Sequence, residues 1–378
     1  MRRIFPSHIA AALVIVGLAA VVAHTNWREG RRSQVATRAK VATAVRLADS
    51  LLRDARVSGK PSLAFRAEET LLKTREIDPD NYEVSRALAA VYLSQHRFSE
   101  AIAIAERNRQ QRPHDPVNYG IIGDGHLELG HYDEAFDAFD RMMTLKPSAA
   151  SYARVAYARE IQGDLSGALE AMKLAADATS ARDREGLAWA HAQVGELHLQ
   201  LSQWREAQTA FQVASASFPG HPLAVGGQAK VLAAEGDLEG ALALLRELHD
   251  RHPTPDLAAR IGDLLAGLGR EDEAEQAYAI AEAAWRTDSP EPKDLARFLA
   301  THERRVEEAV EIAERAAAAR QDIFSNDALA WAYFKKGRVA EAQEAIARAL
   351  RTGTKDREIL AHAAAIQQEA ERTSVEQP

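Results

Sequence analysis

An alanine returns along this chain at a nearly constant distance: Ala67, Ala101, Ala135, Ala168, Ala207, Ala241, Ala274, Ala309 and Ala342. Successive steps are 34, 34, 33, 39, 34, 33, 35 and 33 residues. Prolines keep the same beat, with Pro79, Pro113 and Pro147 spaced by 34 and Pro219 and Pro253 likewise. A period of this size marks a repeat array, in which no unit buries its apolar face alone and each stacks on its neighbours. Nine such units predict one elongated body, where 378 residues would otherwise suggest two or three compact domains.

The unit over residues 116–149 shows the physical logic. Tyr119, Ile122, Gly123 and His126 recur at i, i+3, i+4 and i+7, one face of a first helix. Gly130 suits the left-handed residue that ends it. Ala135, Phe139 and Met142 form the inward stripe of a second helix, and Pro147 stops the segment. Gly123 and Ala135 are small where two helices approach most closely. Leu88, Ala89, Tyr92, Ala101, Ala105 and Pro113 repeat the pattern. So do Val194, Gly195, His198, Trp204, Ala207, Phe211, Ala214 and Pro219. Gly163, Gly236, Gly269 and Gly337 mark further inter-helix turns. With these residues the chain resembles the tetratricopeptide-repeat (TPR) family, over most of its length. Residues 118–142, 151–176 and 328–337 are similar to envelope-associated bacterial TPR proteins. The resemblance implies an all-α fold, a right-handed TPR superhelix (α-solenoid) of about nine helix-turn-helix units with an N-terminal apolar helix.

Departures from the repeat divide the chain. The first unit is degenerate, with Asp54 where an apolar residue belongs, as suits a terminal cap. The step of 39 holds a polar insertion around residues 179–186 that lengthens a helix or a loop. Near Pro290, Lys293 and Arg297 stand at positions that usually pack, so that first helix is expected to be shifted or irregular. The expected organisation is a signal or membrane anchor with a basic flank over 1–32, a linking helix over 33–47 and the array over 48–355. A covering helix over 356–372 and a disordered tail over 373–378 complete it.

Arg2 and Arg3 precede an apolar run over residues 9–23, the form of a secretory signal or signal anchor. Fifteen residues fall short of the roughly 20 that span a bilayer. Val21, Val22 and Ala23 offer a cleavage site, while Trp27 and the arginines 28, 31 and 32 favour an uncleaved anchor. The expectation is a cell-envelope protein held at the inner membrane with its repeats in the periplasm. A cleaved signal with a soluble periplasmic chain, or a cytoplasmic-facing array, are the alternatives.

Enzymatic chemistry finds no foothold. Phosphate-binding loops, dinucleotide glycine fingerprints, zinc-protease motifs and nucleophile elbows are absent from the sequence. The glycines at 120, 123 and 125 follow no strand and read as close-packing positions. There is no cysteine, which removes thiolate nucleophiles and thiolate metal sites. A formal net charge of −8 argues against a nucleic-acid partner. Thirteen histidines include His191 and His198, seven apart and about 10 Å along a helix axis, too far to share an ion. No metal, cofactor or catalytic residue is expected.

By resemblance to the family, first helices line a concave groove that binds a partner protein or peptide. Carried over position by position, the groove residues are Asp124 and Glu128, then Arg154, Tyr157 and Glu160. Gln193 and Glu196 follow, then Lys230, Arg260 and Asp263, with Trp331 and Phe334 near the end. Arg154 with Tyr157 is the favoured pair, an arginine beside an aromatic being the composition that dominates interface energies. The expected role is a non-catalytic scaffold or adaptor of the envelope that touches the membrane only through its N-terminal segment. A carrier or chaperone-like holdase, using exposed apolar surface at Trp331 and Phe334, is the alternative.

Overall fold

The computed structural model describes the backbone of residues 7–288 and 292–376, with side chains over 34–287 and 292–373 and at Trp27, Arg31 and Arg32. Within these residues the secondary structure is helical throughout. The first units are α1 (Ser7–Ser58) with α2 (Ser62–Ile77), α3 (Tyr82–Ser94) with α4 (Phe98–Gln111), and α5 (Pro116–Leu129) with α6 (Tyr132–Leu145). The middle units are α7 (Ala149–Ile161) with α8 (Leu165–Ala178), α9 (Arg184–Gln200) with α10 (Trp204–Ser217), and α11 (Pro222–Ala234) with α12 (Leu238–Arg251). The last are α13 (Pro255–Gly267) with α14 (Glu271–Asp288), α15 (Pro292–Thr301) with α16 (Val306–Ala319), and α17 (Ile323–Lys335) with α18 (Val339–Ala349). A single helix, α19 (Arg357–Glu376), follows.

Every marker alanine but Ala67, the sixth residue of α2, is the fourth residue of a second helix, and all are at most 1% exposed, because the helix crosses its partner there. The facing position is small for the same reason. A side-chain carbon at Gly123 would overlap the Phe139 ring, and one at Gly195 the Phe211 ring. The turn glycines 130, 163, 236, 269 and 337 have φ between +72° and +90°, the left-handed conformation that glycine adopts without strain. His96 and Ser202 take the same role at +59° and +61°. Most first helices, α11 excepted, open on side-chain caps that satisfy free amide groups. Asn81 accepts from Glu83 and Val84, Ser148 from Ser151, and Asp322 from Phe324 and Ser325.

The insertion lengthens a helix: α9 has 17 residues where its counterparts α7 and α11 have 13. The irregular unit is α15, cut to 10 residues. Its Arg297 pairs with Asp294 and with Glu358 of α19, which explains how a cation occupies a packing position. Two boundaries differ from expectation. α1 is one helix of 52 residues, and its packing begins at Val41 and Ala44, inside the segment read as a linker. α19 continues to Glu376, so the tail expected from Thr373 is helical as far as that residue, because the helix that buries Ile359 and Ile366 has no stop signal before it. Residues 1–6 and the side chains of the apolar run over 9–23 lie outside the described residues. Among those described, no helix is long and apolar enough to cross a membrane.

The superhelix winds tightly enough to touch itself. The turn of unit three meets the start of unit nine: the Gln321 N–H donates to the Leu129 carbonyl at 3.1 Å, and the Ile323 N–H to the Tyr132 hydroxyl at 2.8 Å. Arg351 donates to the Gly130 carbonyl at 3.0 Å and also reaches the Gln321 carbonyl. The turn of unit four, Gly163, abuts Gly353, and Arg357 reaches back to the Leu199 carbonyl of unit five. At the other end Gly59 faces Thr254 of unit seven. The turns of units one, three and four therefore rest on the chain six places later in the array. The seam has its own apolar core, since Leu127, Tyr132 and Ile161 are buried in one cluster with Ile323, Leu329 and Ile359.

Candidate partner-binding groove

First helices turn one face inward, and the position eleven residues ahead of each marker alanine runs down it. Arg56, Ala90, Asp124, Tyr157, Glu196, Lys230, Asp263, Phe298 and Trp331 occupy that position in order. The expected groove residues lie on this file or one helical turn to either side, which is why they share a surface. The structure gathers them into separate groups.

Asp124, Arg154, Tyr157, Glu160 and Gln193 line one cavity of about 790 Å³ across units three to five. Within it Arg154 is already engaged. Its guanidinium grips Asp124 by two bonds of 2.8 and 2.5 Å and covers Gly120, where an added carbon would lie 3.2 Å from Nε. Of the favoured pair, then, Tyr157 remains the side chain presented to the cavity, and Arg154 shapes its wall. Burial raises the Tyr157 hydroxyl well above its usual range, and the charges of Glu128 and Glu160 add to this, so it stays protonated and can donate. Glu160 accepts from the Gln200 amide at 2.5 Å. Burial raises its carboxyl, the Gln200 bond opposes, and the charges of Asp356 and Glu196 reinforce the rise.

Sequence reasoning missed three cavity residues. Trp189 stands just after the turn that the insertion adds to the start of α9, eighteen residues ahead of Ala207 and in register with Val117 and Leu223 of other units. Glu185 opens the same helix, and Arg56 closes α1 on the opposite wall; the two pair at 2.7 Å. Arg56 was legible in principle, since it occupies the inward file in the first unit. Glu185 Oε1 is buried without a hydrogen-bond partner, 3.8 Å from Nε2 of the buried His221. Burial holds that imidazole below its usual range.

Glu196, Lys230 and Arg260 line a second cavity of about 210 Å³ beneath the end of α1. Lys230 pairs with Glu196 at 2.7 Å, and Arg260 with Asp256 of its own helix at 3.0 Å. The remaining expected residues lie elsewhere. Glu128 lines a neighbouring cavity of units two to four with Phe98 and Ile121, and approaches Arg320 across the seam at 3.5 Å. Asp263 accepts from the Tyr278 hydroxyl at 3.0 Å. Trp331 is closed in by a stack, 4.0 Å from the His362 ring and 5.1 Å from Phe334, and its indole donates to Thr301. His126 and His131 approach to 3.3 Å between Nδ1 atoms. Among the described residues no group of three or more histidines and carboxylates gathers around a point that could hold an ion.

Residues 195–254 match the family profile described as Tetratricopeptide repeat. No curated protein matches the chain. Among solved structures it is similar to the APC/C hetero-tetramer Cut9–Hcn1, at 17% identity and a TM-score of 0.51, over 84% of this chain and 55% of that one. It is also similar to the human IFIT1 dimer with m7Gppp-AAAA, at 18% identity and 0.54, over 77% of this chain and 68% of that one. The chain thus spans about half the length of the first of these, and at such identities the likeness concerns the fold alone. The period of the marker alanines, the paired helices they join and the matched segment agree: residues 195–254 match tetratricopeptide repeats, and the array as a whole has the tetratricopeptide-repeat fold.

Proposed function

We propose that the protein is a non-catalytic scaffold that receives an extended segment of a partner protein along the inward face of its first helices. The observation that carries this is the cavity of about 790 Å³ whose wall combines Tyr157 and Trp189 with a half-buried carboxyl at Glu160. Large aromatic surface beside a few placed polar groups is the composition of a recognition site. The acids of the wall suit a segment of mixed or mildly basic charge. The adaptor reading is favoured over a holdase because Trp331 and Phe334 are consumed in an ordered stack and offer no broad apolar patch. We also place the protein at the cell envelope, on the basic start and apolar run at its N-terminus.

Peptides selected on the full chain from a displayed library test the groove. Tyr157→Ala and Trp189→Ala should each weaken selected peptides by about tenfold or more, as interface aromatics do. Equal binding to wild type and both variants would remove the assignment. Membrane fractionation with and without residues 1–23 tests the location: loss of membrane association on deletion is expected, and a soluble full-length chain would refute it.

A further inference from the structure

Glycine inside a helix needs a reason, because it costs about 1 kcal/mol relative to alanine. Nearly every glycine within α2–α19 shows one. Gly123, Gly195, Gly227 and Gly262 seat aromatic rings, Gly125 seats Ile102, and Gly167, Gly186 and Gly240 lie under the aspartate that caps their helix. Among the described residues of these helices Gly226 alone has nothing within 4 Å of where a side-chain carbon would be. It lies mid-helix on α11, and it faces the cavity beneath α1.

The repeat itself explains the empty place. Gly120 and Gly226 are equivalent, each fifteen residues ahead of its marker alanine, Ala135 and Ala241. Above Gly120 the slot is filled by the Met142 sulfur of the same unit and by Arg154 of the next, the latter drawn over it by Asp124. The residue equivalent to Arg154 is Arg260, and the residue equivalent to Asp124 is Lys230. With a cation in place of the carboxylate, nothing draws Arg260 across, and it pairs instead with Asp256. The slot is left open between two cations.

We infer that the Gly226 slot receives an acidic side chain from the partner segment, bridging Lys230 and Arg260. The arrangement inverts the one at Gly120: there a wall carboxylate holds a guanidinium, here wall cations hold a carboxylate. Both cations hold their present partners in half-exposed pairs, with side-chain exposures of 38% for Lys230 and 39% for Arg260, and such pairs exchange at little cost. Arg56, paired with Glu185, lines the far wall of the same cavity, whose carboxylates Glu196 and Asp256 are those the two cations now hold. The missing side chain at 226 is what allows a ligand to approach α11 closely. This inference rests on the groove reading above and names the charge of one point of the bound segment.

Gly226→Ala separates this from a structural role. Since nothing occupies the space, the alanine should raise Tm by about 1–3 °C. The binding test uses a peptide library fused to its carrier at the C-terminus and free at the N-terminus, so that no free C-terminus contributes and one loose end can enter, panned on the full chain. Selected peptides should share an Asp or Glu at one position. Replacing it by Gln or Asn, or making Gly226→Leu or Lys230→Glu in the protein, should each weaken binding at least tenfold. A fall in Tm for Gly226→Ala, peptides without a shared acid, or binding unchanged by Gly226→Leu would overturn the inference. Peptides that depend on Tyr157 and Trp189 but not on Gly226 would leave the groove reading standing and refute this one. A library yielding no binder would refute both.

Discussion

Gly123 and Gly226 are the same residue in the same kind of helix, yet substitution should act on them in opposite directions. At Gly123 the Phe139 ring already fills the space. Gly123→Leu should therefore cost about 1–3 kcal/mol by overpacking, read as a lower midpoint in chemical denaturation. Glu160 offers a second contrast. Its folded carboxyl keeps its proton to higher pH than the unfolded chain does, so stability falls as pH rises from the ordinary glutamate range through the raised value. Glu160→Gln keeps an acceptor for Gln200 and removes the charge. Thermal scans should show it more stable than wild type at pH 7, with the difference shrinking toward pH 4. Such residues were partly legible in sequence. Gly123 was readable as a contact point because its neighbours repeat. Arg154 was readable as inward-facing, but its capture by Asp124 was not, because that depends on side chains 30 residues apart settling on one pair.

Helices show where local pattern sufficed and where it failed. The nine marker alanines located every second helix, because a crossing point between packed helices tolerates one residue type and the period is set by helix length. α9 and α15 depart from that period, and Glu185, on the turn added to the start of α9, was lost to view with the former. α19 is held by more than its apolar stripe. Nδ1 of His362 stands 2.9 and 3.1 Å from the two carboxylate oxygens of Asp327, both residues being buried, and Trp331 covers the ring. Removing the imidazole strands a buried carboxylate. His362→Ala should cost about 3 kcal/mol, and the double change His362→Leu with Asp327→Leu should cost less than the single one. Amide exchange along α17 would report the loosening.

At the level of the whole molecule, the seam between successive turns of the superhelix had no trace in the sequence. Tyr132 reads locally as the first residue of a second helix, and only the winding of six units brings the Ile323 amide to its hydroxyl. Tyr132→Phe leaves that amide unpaired in a buried setting and should cost about 1–3 kcal/mol. Adding Arg351→Ala removes the bonds to the Gly130 and Gln321 carbonyls. Because the chain has no cysteine, spin labels can be placed at Asp133 and Gln321 without background. A single narrow distance is expected for the wild-type seam, and a broader, longer distribution for the double variant. An unchanged distribution would mean that the apolar cluster of Leu127, Ile161 and Ile359 holds the seam by itself.

A coil whose turns touch is a tube, and a tube has a different kinetics of exchange from a trough. A strand lying inside cannot leave sideways past the closed joints at Gly59, Gly130 and Gly163. It must slide out lengthwise, or wait until a joint parts. Dwell time would then depend on the length of the guest and on the strength of the seam, as well as on the contacts along the wall. A folded guest with no loose end would be turned away at the mouth, whatever the chemistry of its surface.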